Sequence, residues 1–178
     1  MNWFWILVGS AGALLYLCEK KRRRIKTAGA TLAKRTKVRA TPAVQVQEAV
    51  ASDDIDAMES LLKQTDDPVL RHTLLEPIIA ARYRERSDST NRDAFYRYAG
   101  QHIEMFPQLF DALERDGQDR PDRIASFKMM AIALAEDGRH KEAINVCNIA
   151  LSFDLEDGTK TGFEGRITRL KKNMNAGD

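Results

Sequence analysis

The chain has 178 residues, with 28 Lys and Arg against 26 Asp and Glu, and only two cysteines. Two cysteines exclude a small fold held together by disulfides and a zinc module built from CxxC pairs. The net charge of +2 hides a division along the chain. Residues 1–39 hold ten bases and one acid, for +9, whereas residues 40–178 hold 18 bases and 25 acids, for −7. This asymmetry predicts two parts with different surroundings.

Residues 1–18 form an apolar segment without a charged side chain. Its length lies at the lower end of the roughly 17–25 residues that a transmembrane helix needs, and Trp3 and Trp5 suit the headgroup region at its outer end. We therefore predict a single transmembrane anchor. The alternatives are a cleaved signal peptide, a lipoprotein signal ending at Cys18 and a buried core helix. Cleavage is disfavoured because the positive charge follows the apolar segment and no small residue precedes its end.

The basic residues after the apolar segment predict its orientation. An uninterrupted cluster of five cations begins the flank: Lys20, Lys21, Arg22, Arg23 and Arg24. Flanks rich in Lys and Arg stay in the cytoplasm, and they are attracted to the anionic inner leaflet. We expect the N-terminus outside and the C-terminal domain in the cytoplasm, at the inner membrane of a bacterium. A specific nucleic-acid partner is not expected, since no aromatic residue within 20–41 offers a stacking platform.

Residues 19–44 are small, polar and basic, and we interpret them as a juxtamembrane linker. Within the anchor, Gly9 and Ala13 form a small-xxx-small pair that permits close approach of two helices. This pair leaves open a homo-oligomer, or a role as an accessory subunit recognised through its span.

Helical periodicity continues through residues 45–178, and no alternating strand pattern occurs. The predicted fold is therefore all-α, an antiparallel helix-turn-helix stack preceded by a single transmembrane helix. Acids before apolar runs predict helix starts at Asp53 or Asp54 and at Asp66–Pro68. The remaining helices are predicted at about 91–106, 108–116, 121–137, 140–153 and 161–173, with Pro121 opening the helix that ends near 137.

The segment 124–155 carries the most specific pattern of the chain. Ala131, Ala143 and Ala150 stand where a small residue lets two helices cross closely, and Gly138 lies between the two helices. The segment resembles a tetratricopeptide repeat, a helix-turn-helix unit of about 34 residues, although Leu155 stands where the family usually has proline. A second, degenerate unit is predicted at 76–107.

The resemblance implies a binding scaffold and no particular chemistry. In such stacks the first helix of each unit lines the binding groove, which assigns a partner-binding face to Ala125, Lys128, Ile132 and Ala135. The layout of anchor, basic flank and helical-repeat domain is similar to that of the lipopolysaccharide-assembly adaptors of Gram-negative bacteria, without the metal module of that family. We therefore expect a membrane-tethered adaptor that binds a protein partner.

The sequence contains no catalytic, cofactor-binding or metal-binding motif of the common kinds. His72, His102 and His140 are far apart in sequence and share no ligand spacing with a cysteine or carboxylate, so each is expected to be an ordinary helix residue. We predict neither an enzyme nor a cofactor.

Overall fold

The computed structural model describes residues 40–176, which form eight α-helices and no strand. The all-α class is thus confirmed for this part of the chain. The helices are α1 (Pro42–Ala51), α2 (Ile55–Leu62), α3 (Pro68–Arg84), α4 (Ser89–Glu104), α5 (Phe106–Arg115), α6 (Ala125–Glu136), α7 (His140–Ser152) and α8 (Gly162–Ala176).

The predicted anchor lies outside the described residues. The same holds for the residues assigned to the membrane interface and to the helix-pairing face, which are Trp3, Trp5, Gly9, Ala13, Lys20, Lys21, Arg22, Arg23 and Arg24. Among residues 40–176, none of the helices has the length and apolar character needed to cross a bilayer.

Three helices begin where an aspartate caps them. The carboxylates of Asp54, Asp67 and Asp88 accept hydrogen bonds of 2.9–3.0 Å from backbone N–H groups in the first turns of α2, α3 and α4. Each such cap contributes about 1 kcal/mol by satisfying donors that have no partner within the helix. The predicted starts at Asp54 and at Asp67–Pro68 are confirmed.

The prediction that Pro121 opens a helix is wrong. Helix α6 starts at Ala125, and Ile124 before it is extended (φ −128°, ψ 114°) and only 3% exposed. The backbone N–H of Glu156 donates to the carbonyl oxygen of Asp122 at 2.8 Å. This tertiary contact holds residues 118–124 as a connection, so the local preference of proline for a first turn does not decide the structure there.

Helix α1 begins at Pro42, inside the segment that the sequence assigns to the linker. Pro42 stands in the first turn, where its missing N–H costs nothing. Val46 and Ala49 are buried and belong to the common core, so α1 is part of the folded domain.

Small residues let α6 and α7 pack as a hairpin. Ala131, Ala143 and Ala150 are fully buried, as predicted. The turn between the helices depends on Gly138, whose φ of 72° is unfavourable for any residue with a Cβ atom. There the N–H of Arg139 donates to the carbonyl of Leu134 at 2.8 Å, which closes the end of α6.

The helices pack in chain order around one core. Helices α3 and α4 form a second hairpin, which contacts α6, while α8 covers α7 and both α1 and α2 pack on α3. Helix α5 lies against α3 and α4, and its Phe106 meets Phe127 of α6 edge-on at 5.2 Å between ring centroids. Along the chain, α5 lies between the α3–α4 hairpin and the α6–α7 hairpin.

Candidate protein-binding surface

The residues assigned to the partner-binding face lie along one side of α6. Their spacing of three, four and three residues places them on one helical stripe. Ala125 is exposed at the start of the helix, whereas Lys128, Ile132 and Ala135 are half-buried. Ala135 also packs against the core, so the stripe is fully open only at the start of α6 and partly covered along the rest of the helix.

A groove that the sequence did not predict lies beside this stripe. It encloses about 520 Å³ between α4, α6 and α7, and we call it the α6 groove. Its residues include Tyr96 from α4, Met130 and Leu134 from α6, and Arg139, Lys141 and Val146 from the turn and from α7. An apolar floor with a charged rim is typical of surfaces that bind another protein. None of the four stripe residues lines it.

Polar contacts fix one wall of the α6 groove. The hydroxyl of Tyr96 donates to Oδ2 of Asp137 at 2.6 Å, and Arg92 forms an ion pair with the same carboxylate. The guanidinium of Arg139 lies 5.2 Å from the centroid of the Tyr96 ring and donates to Glu142 at 2.6 and 2.7 Å. Tyr96 is therefore held in place before any partner arrives, which reduces the entropy lost on binding.

A second ion pair joins the two hairpins at the same end. Arg86, which follows α3, donates to both carboxylate oxygens of Glu136 at 2.9 and 3.0 Å. The hydrogen bonds from Arg86 hold the pKa of Glu136 below its usual value. Bidentate pairs of this kind fix orientation as well as distance. The pair thereby links the α3–α4 hairpin to the end of α6.

Two of the three histidines meet inside the domain. Nδ1 of His72 lies 2.8 Å from Nε2 of His102, and the stacked rings are 5.1 Å apart between centroids. His102 is fully buried, and its Nδ1 has no hydrogen-bond partner among the described residues. Burial, with a smaller contribution from His72, lowers the pKa of His102 to about 3, and burial also lowers the pKa of His72. Both imidazoles are neutral at physiological pH, so the pair acts as a polar core element.

A buried ion pair joins the connection between α7 and α8 to the side of α8. The carboxylate of Asp157 accepts hydrogen bonds from the backbone N–H of Thr159 at 2.8 Å, from its hydroxyl at 2.6 Å, and from Arg166 at 2.9 Å. Burial alone raises the pKa of Asp157, but these hydrogen bonds outweigh it and the net pKa lies below its usual value. The contacts indicate a structural role, because the carboxylate oxygens of Asp157 accept their hydrogen bonds from groups of the same domain.

In the described part of the chain, no group of three or more His, Cys, Asp or Glu side chains is arranged to hold a metal ion. Comparison with known proteins found no matching family model, no similar curated protein and no similar solved structure.

Proposed function

We propose that the protein is a membrane-tethered helical-repeat adaptor that binds a protein partner at the cytoplasmic face of the membrane. The observation that carries the proposal is the α6 groove, which the fixed aromatic ring of Tyr96 lines together with apolar side chains of α6 and α7. Aromatic anchors in such settings commonly supply most of the binding energy at protein interfaces.

The arrangement of the hairpins supports a tetratricopeptide-like stack. The α3–α4 and α6–α7 hairpins lie in contact, and α8 covers the last helix. A terminal helix with exposed Arg169, Lys171 and Lys172 and a buried Leu170 suits the role of a polar cap. The inserted helix α5 makes the stack irregular, which leaves the α6–α7 hairpin as the principal repeat.

Site-specific photocrosslinking in cells tests the proposal. The full chain carries a photoreactive amino acid either at Asn145, which lines the α6 groove, or at Thr90, which is exposed near the start of α4. We expect one discrete adduct at Asn145 and none at Thr90. The adduct should disappear when Tyr96→Ala is introduced, because the anchor of the groove is lost.

Adducts of equal intensity at both positions would indicate random collision and would contradict the proposal. Persistence of the Asn145 adduct in Tyr96→Ala would remove the groove as the binding surface. Far-UV circular dichroism of the purified Tyr96→Ala protein measures its helix content, so that a folding defect is separated from a binding defect.

The second candidate is an accessory subunit recognised through its span, favoured by the Gly9 and Ala13 pair. Replacing residues 1–18 by an unrelated apolar helix of the same length distinguishes the two. If the Asn145 adduct is kept, the span serves only as a tether; if it is lost, the span itself carries the recognition.

A further inference from the structure

A cation-lined cavity lies on a different part of the domain, between α2, α3 and α4. It encloses about 480 Å³, and we call it the α2–α4 cavity. Its residues include Glu59, Leu62, Lys63, Arg71, Arg97 and Tyr98. A volume of this size is within the range of small-molecule sites, about 300–1,000 Å³.

The lining of this cavity is positively charged, whereas the domain around it is negatively charged. Residues 40–178 carry −7, and between residues 40 and 70 Lys63 is the only base. Lys63 and the next base along the chain, Arg71, both line the cavity, together with Arg97 from α4. Lys63 directly after α2, Arg71 of α3 and Arg97 of α4 therefore line one concave site of an acidic domain.

The one carboxylate that lines the α2–α4 cavity is already neutralised. Oε1 of Glu59 accepts hydrogen bonds from Arg82 at 2.8 and 3.3 Å. Lys63 and Arg97 form no ion pair with any described carboxylate, and the guanidinium of Arg97 lies 4.8 Å from the centroid of the Tyr98 ring. The positive charges of Lys63 and Arg97 are therefore available to bind an anionic ligand.

Arg71 is held in position within the fold. Its Nη1 donates to the carbonyl oxygens of Leu62 at 3.1 Å and of Thr65 at 3.0 Å, at the end of α2. These bonds occupy the carbonyl end of the helix, which would otherwise repel an anion. A guanidinium fixed in this way presents its remaining donors without a further loss of entropy.

We propose that the α2–α4 cavity binds a small organic phosphate monoester, an inference that goes beyond the adaptor function. Three convergent cations match a dianionic phosphate better than a single carboxylate. Leu62 and the ring of Tyr98 provide an apolar wall for the organic part. The free ligand is favoured over a phosphorylated peptide by the concave shape and the volume of the site.

Isothermal titration calorimetry of the full-length protein with phenyl phosphate tests the proposal, with phenol as the neutral probe. We expect saturable one-to-one binding of phenyl phosphate and none of phenol. Lys63→Gln and Arg97→Gln should each weaken binding about tenfold, the loss typical of one charge-assisted hydrogen bond. Both side chains are exposed, and neither forms an ion pair with a described carboxylate, whereas Arg71 also ties α2 to α3 and is left unchanged.

Arg84→Gln is the matched control, since Arg84 is an exposed arginine of α3 outside the cavity. It should leave the affinity within about twofold of the original. Three results would overturn the proposal: no saturation at about 10 mM phenyl phosphate, equal weakening in Arg84→Gln, or equal binding of phenol. Tighter binding of a phosphoserine peptide than of phenyl phosphate would overturn the assignment to a small molecule.

Discussion

At the scale of single residues, the contact between His72 and His102 makes stability depend on pH. In the unfolded chain the pKa of a histidine is near 6.5. In the folded state burial lowers the pKa of His102 to about 3. Glu76 on α3 acts in the opposite direction on His72, but burial outweighs it. The stabilising effect of the neutral pair is complete above pH 6.5 and is lost as the pH falls toward 3.

We therefore expect the free energy of unfolding to fall by about 2 kcal/mol between pH 7 and pH 5. Urea denaturation of the full-length protein at the two pH values measures this difference. His102→Leu removes the titrating group at this position, so the difference between the two pH values should become smaller. An equal fall in the original protein and in the variant would assign the effect to other groups.

The sequence predicted that each histidine would lie on a helix, and it could not predict their contact. His72 and His102 are 30 residues apart, and only the packing of α3 against α4 brings their rings together. Local patterns determine the face of a helix on which a residue lies, but the neighbour opposite that face is set by tertiary structure. Tyr96 shows the same limit, since its role in the α6 groove depends on α7.

At the scale of helices and turns, two ion pairs in the same connection differ in burial. Asp157 is paired with Arg166, and their side chains are 0% and 15% exposed. The adjacent Glu156 is paired with Arg123, and their side chains are 62% and 61% exposed. Removing one member of a buried pair leaves an uncompensated charge, whereas an exposed pair exchanges its contacts for water.

Asp157→Asn should lower the free energy of unfolding by about 3 kcal/mol, because Arg166 keeps its charge without a partner. Glu156→Gln, the matched control, should change it by less than about 0.5 kcal/mol. Chemical denaturation followed by far-UV circular dichroism compares the two variants. Losses of similar size would show that burial does not separate these pairs.

Helix starts were predictable where the signal is local. Asp54 and Asp67 cap their helices through bonds to the next few residues, so the sequence alone contains the necessary information. Pro121 offered a similar local signal, but a backbone contact with Glu156 decides the structure there. The connection that contains Pro121 is positioned by residues more than thirty places later in the chain.

At the scale of the whole molecule, the division of charge makes the orientation testable. Residues 1–39 carry +9 and residues 40–178 carry −7. If the basic flank keeps the helical domain in the cytoplasm, alkaline phosphatase fused after Asp178 should be about tenfold less active than an exported control. A fluorescent protein that folds only in the cytoplasm should be bright at the same position.

A matched variant moves Lys20, Lys21, Arg22, Arg23 and Arg24 to the front of the apolar segment. Because the distribution of Lys and Arg sets orientation, the phosphatase activity should then rise. High activity of the original fusion would reverse the proposed compartment, and with it the cytoplasmic partner. The division of charge was visible in the sequence, and so was a helix at about 108–116 between the two hairpins. Its packing against α3 and α4 was not visible, because that contact is set by tertiary structure.

Cys147 offers a way to follow the motions of the helical domain. Its thiol is fully buried in α7, and burial raises its pKa to about 11. Since thiolates react with alkylating reagents and buried thiols do not, modification can occur only when α7 separates from its neighbours. In a Cys18→Ser background, the rate of alkylation would thus measure how often α7 separates from the helices around it, and a bound partner that holds the hairpins together would slow that rate.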